Sequence, residues 1–402
     1  MKKTEMLLTI AVCVVLASAT VSRAAEPTSS PQKLYADLLA TFPEDRQGYG
    51  KDGFLLVVDH QPMTYGLVLS AEAVHFQRKP NDETQRRVRK AVRWLMDNRD
   101  LDGDGLPGWG LPQPWDAWAD GTTNGPNHVY TITTAIVLDG LMDAMEARPL
   151  WTENEIKEMR GLVIDVVMRW CRSIWSDGYG GGFFWYSPSR NDEIFGINAP
   201  AMFLSGMARL LHDHKQALQP DQFALIQSRA DQLARAIVST VEIRDGQPFW
   251  LYAPEPNKLN HHRPNDLLHH FYTLWGIERY RDCGGRVPLP WSREAALRTA
   301  DRFWTDGKLC DYEYVKDKAS GCPPVSARLW SAGMMLAFCA KYGDTAQAEK
   351  CLRAIQQDYG PWPQLSCAPK AGVKNVFPRQ SSHVLLGLAF HAFPDRNPDA
   401  GR

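Results

Sequence analysis

An all-α ring of six helical hairpins is the fold this sequence predicts, and three observations predict it. Apolar residues recur at helical spacing almost throughout, without the sustained alternation of a half-buried strand. A helix with one internal glycine followed by an apolar residue recurs six times, at Gly66-Leu67, Gly140-Leu141, Gly206-Met207, Gly276-Ile277, Gly333-Met334 and Gly387-Leu388. The segments joining the helices alternate between short and long.

Glycine inside a helix costs about 1 kcal/mol relative to alanine, so its recurrence asks for a reason, and close approach of a second helix supplies one. The six glycine-marked helices are therefore expected to line the inside of the ring. Between them the pattern predicts helices with one apolar stripe and one charged face over 82–98, 152–175, 220–240, 292–305 and 346–358, with 32–41 completing an outer set. Links from inner to outer helices are short (78–81, 148–151, 215–219, 343–344), and links from outer to inner helices are long (99–127, 176–197, 241–265, 306–325, 360–380). In a ring of alternating hairpins every outer-to-inner link emerges on one face. Long links in a compact domain are commonly functional, and the positive ends of the inner-helix dipoles point at that face. The site is expected there.

This pattern resembles the six-hairpin glycosidase superfamily, the (α/α)6 toroids. That group holds glycoside hydrolases, unsaturated glucuronyl hydrolases, sugar 2-epimerases, uronate lyases and the helical domain of glucuronyl C5-epimerase. The resemblance spans nearly all of the chain after its leader and is architectural. The run Asn127-His128-Val129-Tyr130-Thr131-Ile132-Thr133-Thr134-Ala135 is similar to segments opening inner helices in uronate-modifying relatives. The resemblance implies a carbohydrate-active enzyme.

Lys2 and Lys3, an apolar run over 6–17 and the small-x-Ala ending Ser22-Arg23-Ala24 describe a secretory signal peptide over 1–24. The apolar run is shorter than the roughly 20 residues a spanning helix needs. Val12 before Cys13 does not suit lipid attachment. The remainder, 25–402, reads as one toroidal catalytic domain, exported to the periplasm or beyond. Its 45 Lys and Arg against 46 Asp and Glu argue against nucleic acid or an anionic membrane as partner. Of the cysteines, Cys310 and Cys322 flank a polar loop and could pair, whereas Cys171, Cys339 and Cys351 sit on helix-like faces as core residues.

The richest link runs from Asp100 to Gly121. Its opening, Asp100-Leu101-Asp102-Gly103-Asp104-Gly105, resembles the first half of a calcium loop, with Asp100, Asp102 and Asp104 as ligands. Leu111 stands where such a loop places its bidentate glutamate, so a plain Asp/Gly turn is the competing reading. Further on, Asp116 and Asp120 lie among Trp109, Trp115 and Trp118. Indole faces stack on sugar rings, and a desolvated carboxyl can serve as general acid. The alternative is a Trp/Pro-packed loop whose carboxylates accept backbone hydrogen bonds.

The link after 175 carries Asp177, Gly180-Gly181-Gly182 and Trp185. With no strand before the glycines and no Gly-Lys-Ser after them, a short hairpin lining a sugar groove is expected rather than a nucleotide site. The fourth inner helix opens in His261-His262-Arg263-Pro264-Asn265-Asp266-Leu267-Leu268-His269. Asp266 and His269, three residues apart, share one helical face. Arg263 could clamp a carboxylate. Tyr312, Glu313, Tyr314, Arg328, Trp330, Arg379 and His383 complete the rim.

Two chemistries fit these residues. A glycoside hydrolase would use Asp116 or Asp120 with Asp266, the carboxyls about 6.5–9.5 Å apart for inversion or about 5–5.5 Å for retention. A uronate lyase or C5-epimerase would use Tyr130 or Tyr314, His262 or His269, and Arg263 or Arg328. A non-catalytic glycan-binding protein would keep the tryptophan platforms without converging carboxylates. Serine-nucleophile chemistry lacks its Gly-x-Ser-x-Gly elbow.

Overall fold

The computed structural model describes residues 29–52, 57–254, 265–313, 325–369 and 376–394. The signal-peptide segment, Cys322, Tyr314, His262 and Arg263 lie outside them. Among the described residues no helix is long and apolar enough to cross a membrane.

Among the described residues twelve α-helices follow in order: α1 (Pro31–Leu39), α2 (Pro62–Arg78), α3 (Asp82–Asp97), α4 (Thr131–Glu146), α5 (Glu153–Ser173), α6 (Asn198–Asp213), α7 (Pro220–Ser239), α8 (Leu267–Asp282), α9 (Arg293–Arg298), α10 (Leu329–Lys341), α11 (Thr345–Asp358) and α12 (Pro378–Ala392). The even-numbered helices are buried on nearly all sides. They pack in a closed circuit, α2 on α4, α4 on α6, α6 on α8, α8 on α10, α10 on α12 and α12 back on α2. From outside, α1 leans on α12, α3 on α2, α5 on α4, α7 on α6 and α11 on α10. This is the (α/α)6 toroid.

The glycines explain how the inner circuit closes. A Cβ on Gly140 would lie 2.5 Å from the Gly66 carbonyl oxygen, one on Gly333 2.6 Å from the His383 carbonyl carbon, and one on Gly276 1.7 Å from the Ala201 oxygen. Inner helices thus meet backbone to backbone. Gly206 is the exception, since its Cβ would meet only Leu138 at 3.5 Å. Gly276→Ala is accordingly expected to destabilise the fold by about 3 kcal/mol or more through overpacking. Gly206→Ala should stabilise by up to about 1 kcal/mol, the helix-interior cost of glycine. Urea denaturation midpoints of the two variants check both signs.

Outer helices begin with side-chain caps. Ser30 caps α1, Asn81 caps α3, Thr152 with Glu155 closes a capping box on α5, and Asp344 caps α11. Of the inner helices only α8 has a side-chain cap hydrogen bond, from Asp266. That difference follows from where the inner helices start, as the site geometry makes plain.

Two expectations need correction. The outer helix predicted over 292–305 is α9 followed by a 3-10 turn, Thr299–Phe303. The Thr299 hydroxyl donates to the Ala296 carbonyl at 2.6 Å, competing with the regular helical ladder there. Short antiparallel hairpins also stand among the described residues: β1 (Tyr49–Lys51) with β2 (Val58–His60), β3 (Trp175–Gly178) with β4 (Gly181–Phe184), β5 (Glu242–Arg244) with β6 (Gln247–Phe249), and β7 (Trp304–Thr305) with β8 (Lys308–Leu309); β3–β4 is the short hairpin expected after 175, and the other three are not foreseen by the helical pattern. Strands of two to four residues are too short to print an alternating pattern on the sequence.

Candidate active site

A cavity of about 260 Å³ opens at the N-terminal end of the ring. All six inner helices contribute first-turn residues to its wall: Met63, Ile132, Thr133, Asn198, Leu268, His269, Trp330, Ser331 and Arg379. The cavity therefore lies on the ring axis, facing inner-helix N-termini that mostly lack a side-chain cap. The long links close over it with Leu111, Trp115, Ala117, Tyr186, Tyr252, Asp311 and Tyr312.

Among the described residues two carboxyls, Asp266 and Asp311, line this cavity. Asp266 caps α8, accepting the His269 backbone N–H at 3.0 Å, and the same oxygen lies 2.7 Å from His269 Nδ1. A carboxylate there keeps the proton on Nδ1 and leaves the lone pair on Nε2, so His269 is oriented as a base. The Tyr252 ring meets the imidazole edge-on at 4.8 Å. Asp311, with its side chain 8% exposed, accepts the Arg328 backbone N–H at 3.2 Å. Burial pushes its carboxyl up to about 6, the charge of Asp266 adds to the rise, and a hydrogen bond from Ser331 opposes it. One carboxyl thus stays protonated towards neutrality beside a second that orients an imidazole.

The remaining wall is polar and rigid. Tyr272 donates to His383 Nε2, and His383 Nδ1 donates to the Arg379 carbonyl at 2.8 Å. Burial lowers His383 to about 3, so it remains a neutral acceptor. The Arg379 guanidinium lies 5.3 Å above the Trp330 ring and that of Arg328 5.8 Å from it. Tyr186 is buried beside Tyr252.

The sequence-selected residues divide clearly. Asp266, His269, Trp115, Arg328 and Trp330 line the cavity. Asp116 does not, because its carboxylate accepts the backbone N–H groups of Trp118, Asp120 and Gly121 at 3.2, 3.2 and 2.8 Å. Asp120 is exposed and accepts from Thr122. Tyr130 is fully buried, its hydroxyl donating to the Trp115 carbonyl at 3.3 Å and accepting from Asn124. Trp118 is buried behind the wall between Tyr186 and Tyr252. Trp185 donates to Ser176 and carries Arg190 on its face, away from the cavity. Asp177 is on β3, its side chain 82% exposed, accepting from Trp175 Nε1. Of the calcium-loop set, Asp100 accepts the Gly105 N–H at 3.3 Å within its own turn, and Asp102 and Asp104 gather instead with His128. Glu313 is held by Arg244.

Asp311 is the principal residue that sequence reasoning passed over in favour of its neighbours Tyr312, Glu313 and Tyr314. The available signal was its place at the start of a long link, directly before two aromatics and a glutamate. Tyr186, Tyr252 and Tyr272 were likewise not singled out.

The fold and this axial cavity define the chain as having the architecture of the six-hairpin glycosidase superfamily. It is similar in structure to a novel α-amylase from Clostridium perfringens (TM-score 0.60, 12% identity, 91% of this chain and 99% of that one). It is also similar to cellobiose 2-epimerase from Spirochaeta thermophila (TM-score 0.57, 13% identity, 90% and 96%) and to D-mannose isomerase (TM-score 0.57, 13% identity, 92% and 99%). No protein-family model and no curated protein sequence matches the chain.

Proposed function

We propose that this chain is a carbohydrate-active enzyme, a glycoside hydrolase in which Asp311 is the general acid and Asp266, with His269, the base. The observation that carries the reading is the Asp311 carboxyl, raised to about 6 by burial in the wall of the cavity that Asp266 and His269 also line. Hydrolysis of a glycosidic bond asks for one protonated and one ionised group on either side of a sugar. Trp115, Trp330 and Tyr252 supply aromatic faces around that space. A volume near 260 Å³, just below the ~300–1,000 Å³ typical of small-molecule sites, suits one sugar ring at the base of the cavity. The rest of an oligosaccharide would extend along the long links. The basic and apolar start of the sequence supports a substrate met outside the cytoplasm.

A second reading has its own support. His269, oriented by Asp266, can take a proton from the carbon next to a sugar carbonyl and return it there, breaking and re-forming a C–H bond with the glycosidic bond intact, and epimerases and isomerases are among the structures of similar fold. The test is a screen of oligosaccharides and free aldoses, reading new reducing ends, solvent deuterium at the sugar carbon and ultraviolet absorbance of unsaturated products. New reducing ends, lost in Asp266→Asn and retained in Asp116→Asn, are the expected result. Deuterium exchange without cleavage would transfer the assignment to the second reading, and an absorbance rise would mean elimination. Binding without turnover would leave a glycan-binding protein.

A further inference from the structure

We infer that Asp102, Asp104 and His128 form a binding site for a first-row divalent transition-metal ion, outside the cavity, that fixes the link carrying Trp115. The three donor groups offer ligand atoms within 4.8 Å of one another. Tetrahedral ligands at about 2.0–2.2 Å from an ion stand about 3.3–3.6 Å apart, so the donors would have to close by up to about 1.5 Å around it.

The hydrogen bonds around His128 point to a cation. Ser187 donates its single proton to Asp192 Oδ2 and accepts the Ser189 N–H at 3.2 Å. With that proton given to Asp192, the Ser187 oxygen, which also accepts from Asn124 Nδ2 at 3.4 Å, faces His128 Nε2 at 3.1 Å as an acceptor, an arrangement that places the imidazole proton on Nε2. Nδ1 is left with its lone pair directed at Asp102 Oδ2, 3.3 Å away. Two electron-rich atoms at that separation need a positive charge between them. A proton would serve this pair alone, but it would not engage Asp104. It would also leave Asp102 Oδ1, buried and without a hydrogen-bond partner among the described residues, unsatisfied. A shared metal ion answers all three.

An imidazole nitrogen with two carboxylates suits Zn²⁺ or Mn²⁺ better than Ca²⁺, which prefers oxygen ligands alone. Donation from the second imidazole nitrogen to Ser187 is the outer-shell arrangement that orients a ligating histidine. The same network reaches the cavity. Asp192 accepts from Asn124 at 2.7 Å, and the Asn124 backbone pairs with that of Trp115 at 3.0 and 3.1 Å. An ion here would tie the 99–130 link to the 187–192 segment and hold the Trp115 backbone in place.

Isothermal titration of the full chain, freed of metal by chelation, with Zn²⁺, Mn²⁺ and Ca²⁺ tests this, together with the visible spectrum of the Co²⁺ form. One equivalent of Zn²⁺ or Mn²⁺ should bind, with at least tenfold weaker binding in Asp102→Asn and His128→Ala. Ser187→Ala should weaken it by about 10–100-fold, the usual cost of losing an outer-shell partner. Asp104 is exposed, so Asp104→Asn keeps the fold and should also weaken binding if the other variants fail to fold. The absence of binding, or wild-type affinity in His128→Ala or Asp104→Asn, would overturn the site. Ca²⁺ held more tightly than Zn²⁺ would overturn the assignment of the ion.

Discussion

If the chain is the glycoside hydrolase proposed above, Asp311→Asn is expected to lower kcat by about 10²–10⁴-fold, the contribution of a positioned general acid. The chain should remain folded. The pH profile carries the sign: with the carboxyl raised from 3.8 to about 6, the acid form falls from roughly nine-tenths at pH 5 to one-tenth at pH 7. Wild-type kcat/KM should therefore decline above about pH 6, and the residual activity of the variant should lose that limb. Wild-type stability should also fall as pH rises. A group whose folded pKa is raised contributes stability below its unfolded pKa and loses it as pH rises through the folded value. For Asp311 that window is pH 4 to 6. Above it the buried carboxylate costs about 3 kcal/mol at 1.36 kcal/mol per unit. Asparagine can still accept the Arg328 N–H and carries no charge. Denaturation should find the variant more stable than wild type at pH 8 and equal to it at pH 4. A variant that is inactive and also less stable at pH 8 would remove Asp311 from the acid role.

The contrast between Asp266 and Asp311 explains what the sequence could disclose. Asp266 and His269 are three residues apart on one helix, so their meeting is local and follows from helical geometry alone. The inner ring was readable for a similar reason, since Gly66, Gly140, Gly276 and Gly333 mark close approaches at fixed positions in their own helices. Asp311 owes its character to burial and to Asp266, which lies on another element and 45 positions earlier. Nothing within a few residues of it carries that information. Asp116 shows the converse. Its tryptophan neighbours suggested a desolvated acid, but the loop folds so that three backbone N–H groups occupy its carboxylate. Trp118 and Trp185 likewise could not be oriented from residue type. A link's backbone path decides which side chains face the cavity, and that path depends on neighbouring links.

Arg209→Met should produce the largest loss of stability, about 3–5 kcal/mol, by breaking the ion cluster at the opposite end of the ring. Arg209 is 1% exposed in its side chain and contacts Asp139 at 2.7 Å, Asp143 at 2.7 Å and Glu146 at 2.6 Å. These carboxylates project from α4 onto α6, and Trp275 on α8 donates to Asp139 at 2.7 Å. Lys341, the last residue of α10, stands over the Phe390 ring of α12 at 4.9 Å, and burial brings its ammonium down to about 7. Most of the inner circuit is thus coupled at its C-terminal ends, where helix dipoles favour cations. The pH dependence follows from the same charges. Burial raises Asp139, but Arg209 and Arg279 with the Trp275 hydrogen bond bring it to about 2, below its ordinary 3.8. In the wild type it therefore contributes stability present above about pH 4 and lost as pH falls through 2. Without Arg209, burial dominates, the carboxylates of Asp139 and Asp143 take up protons in the folded state, and their cost grows as pH rises. The gap between variant and wild type should consequently be widest at pH 7 and narrow towards pH 4 in guanidinium titrations. A deficit unchanged across that range would mean that Arg209 supports the ring through packing of its side chain, with its charge of little consequence.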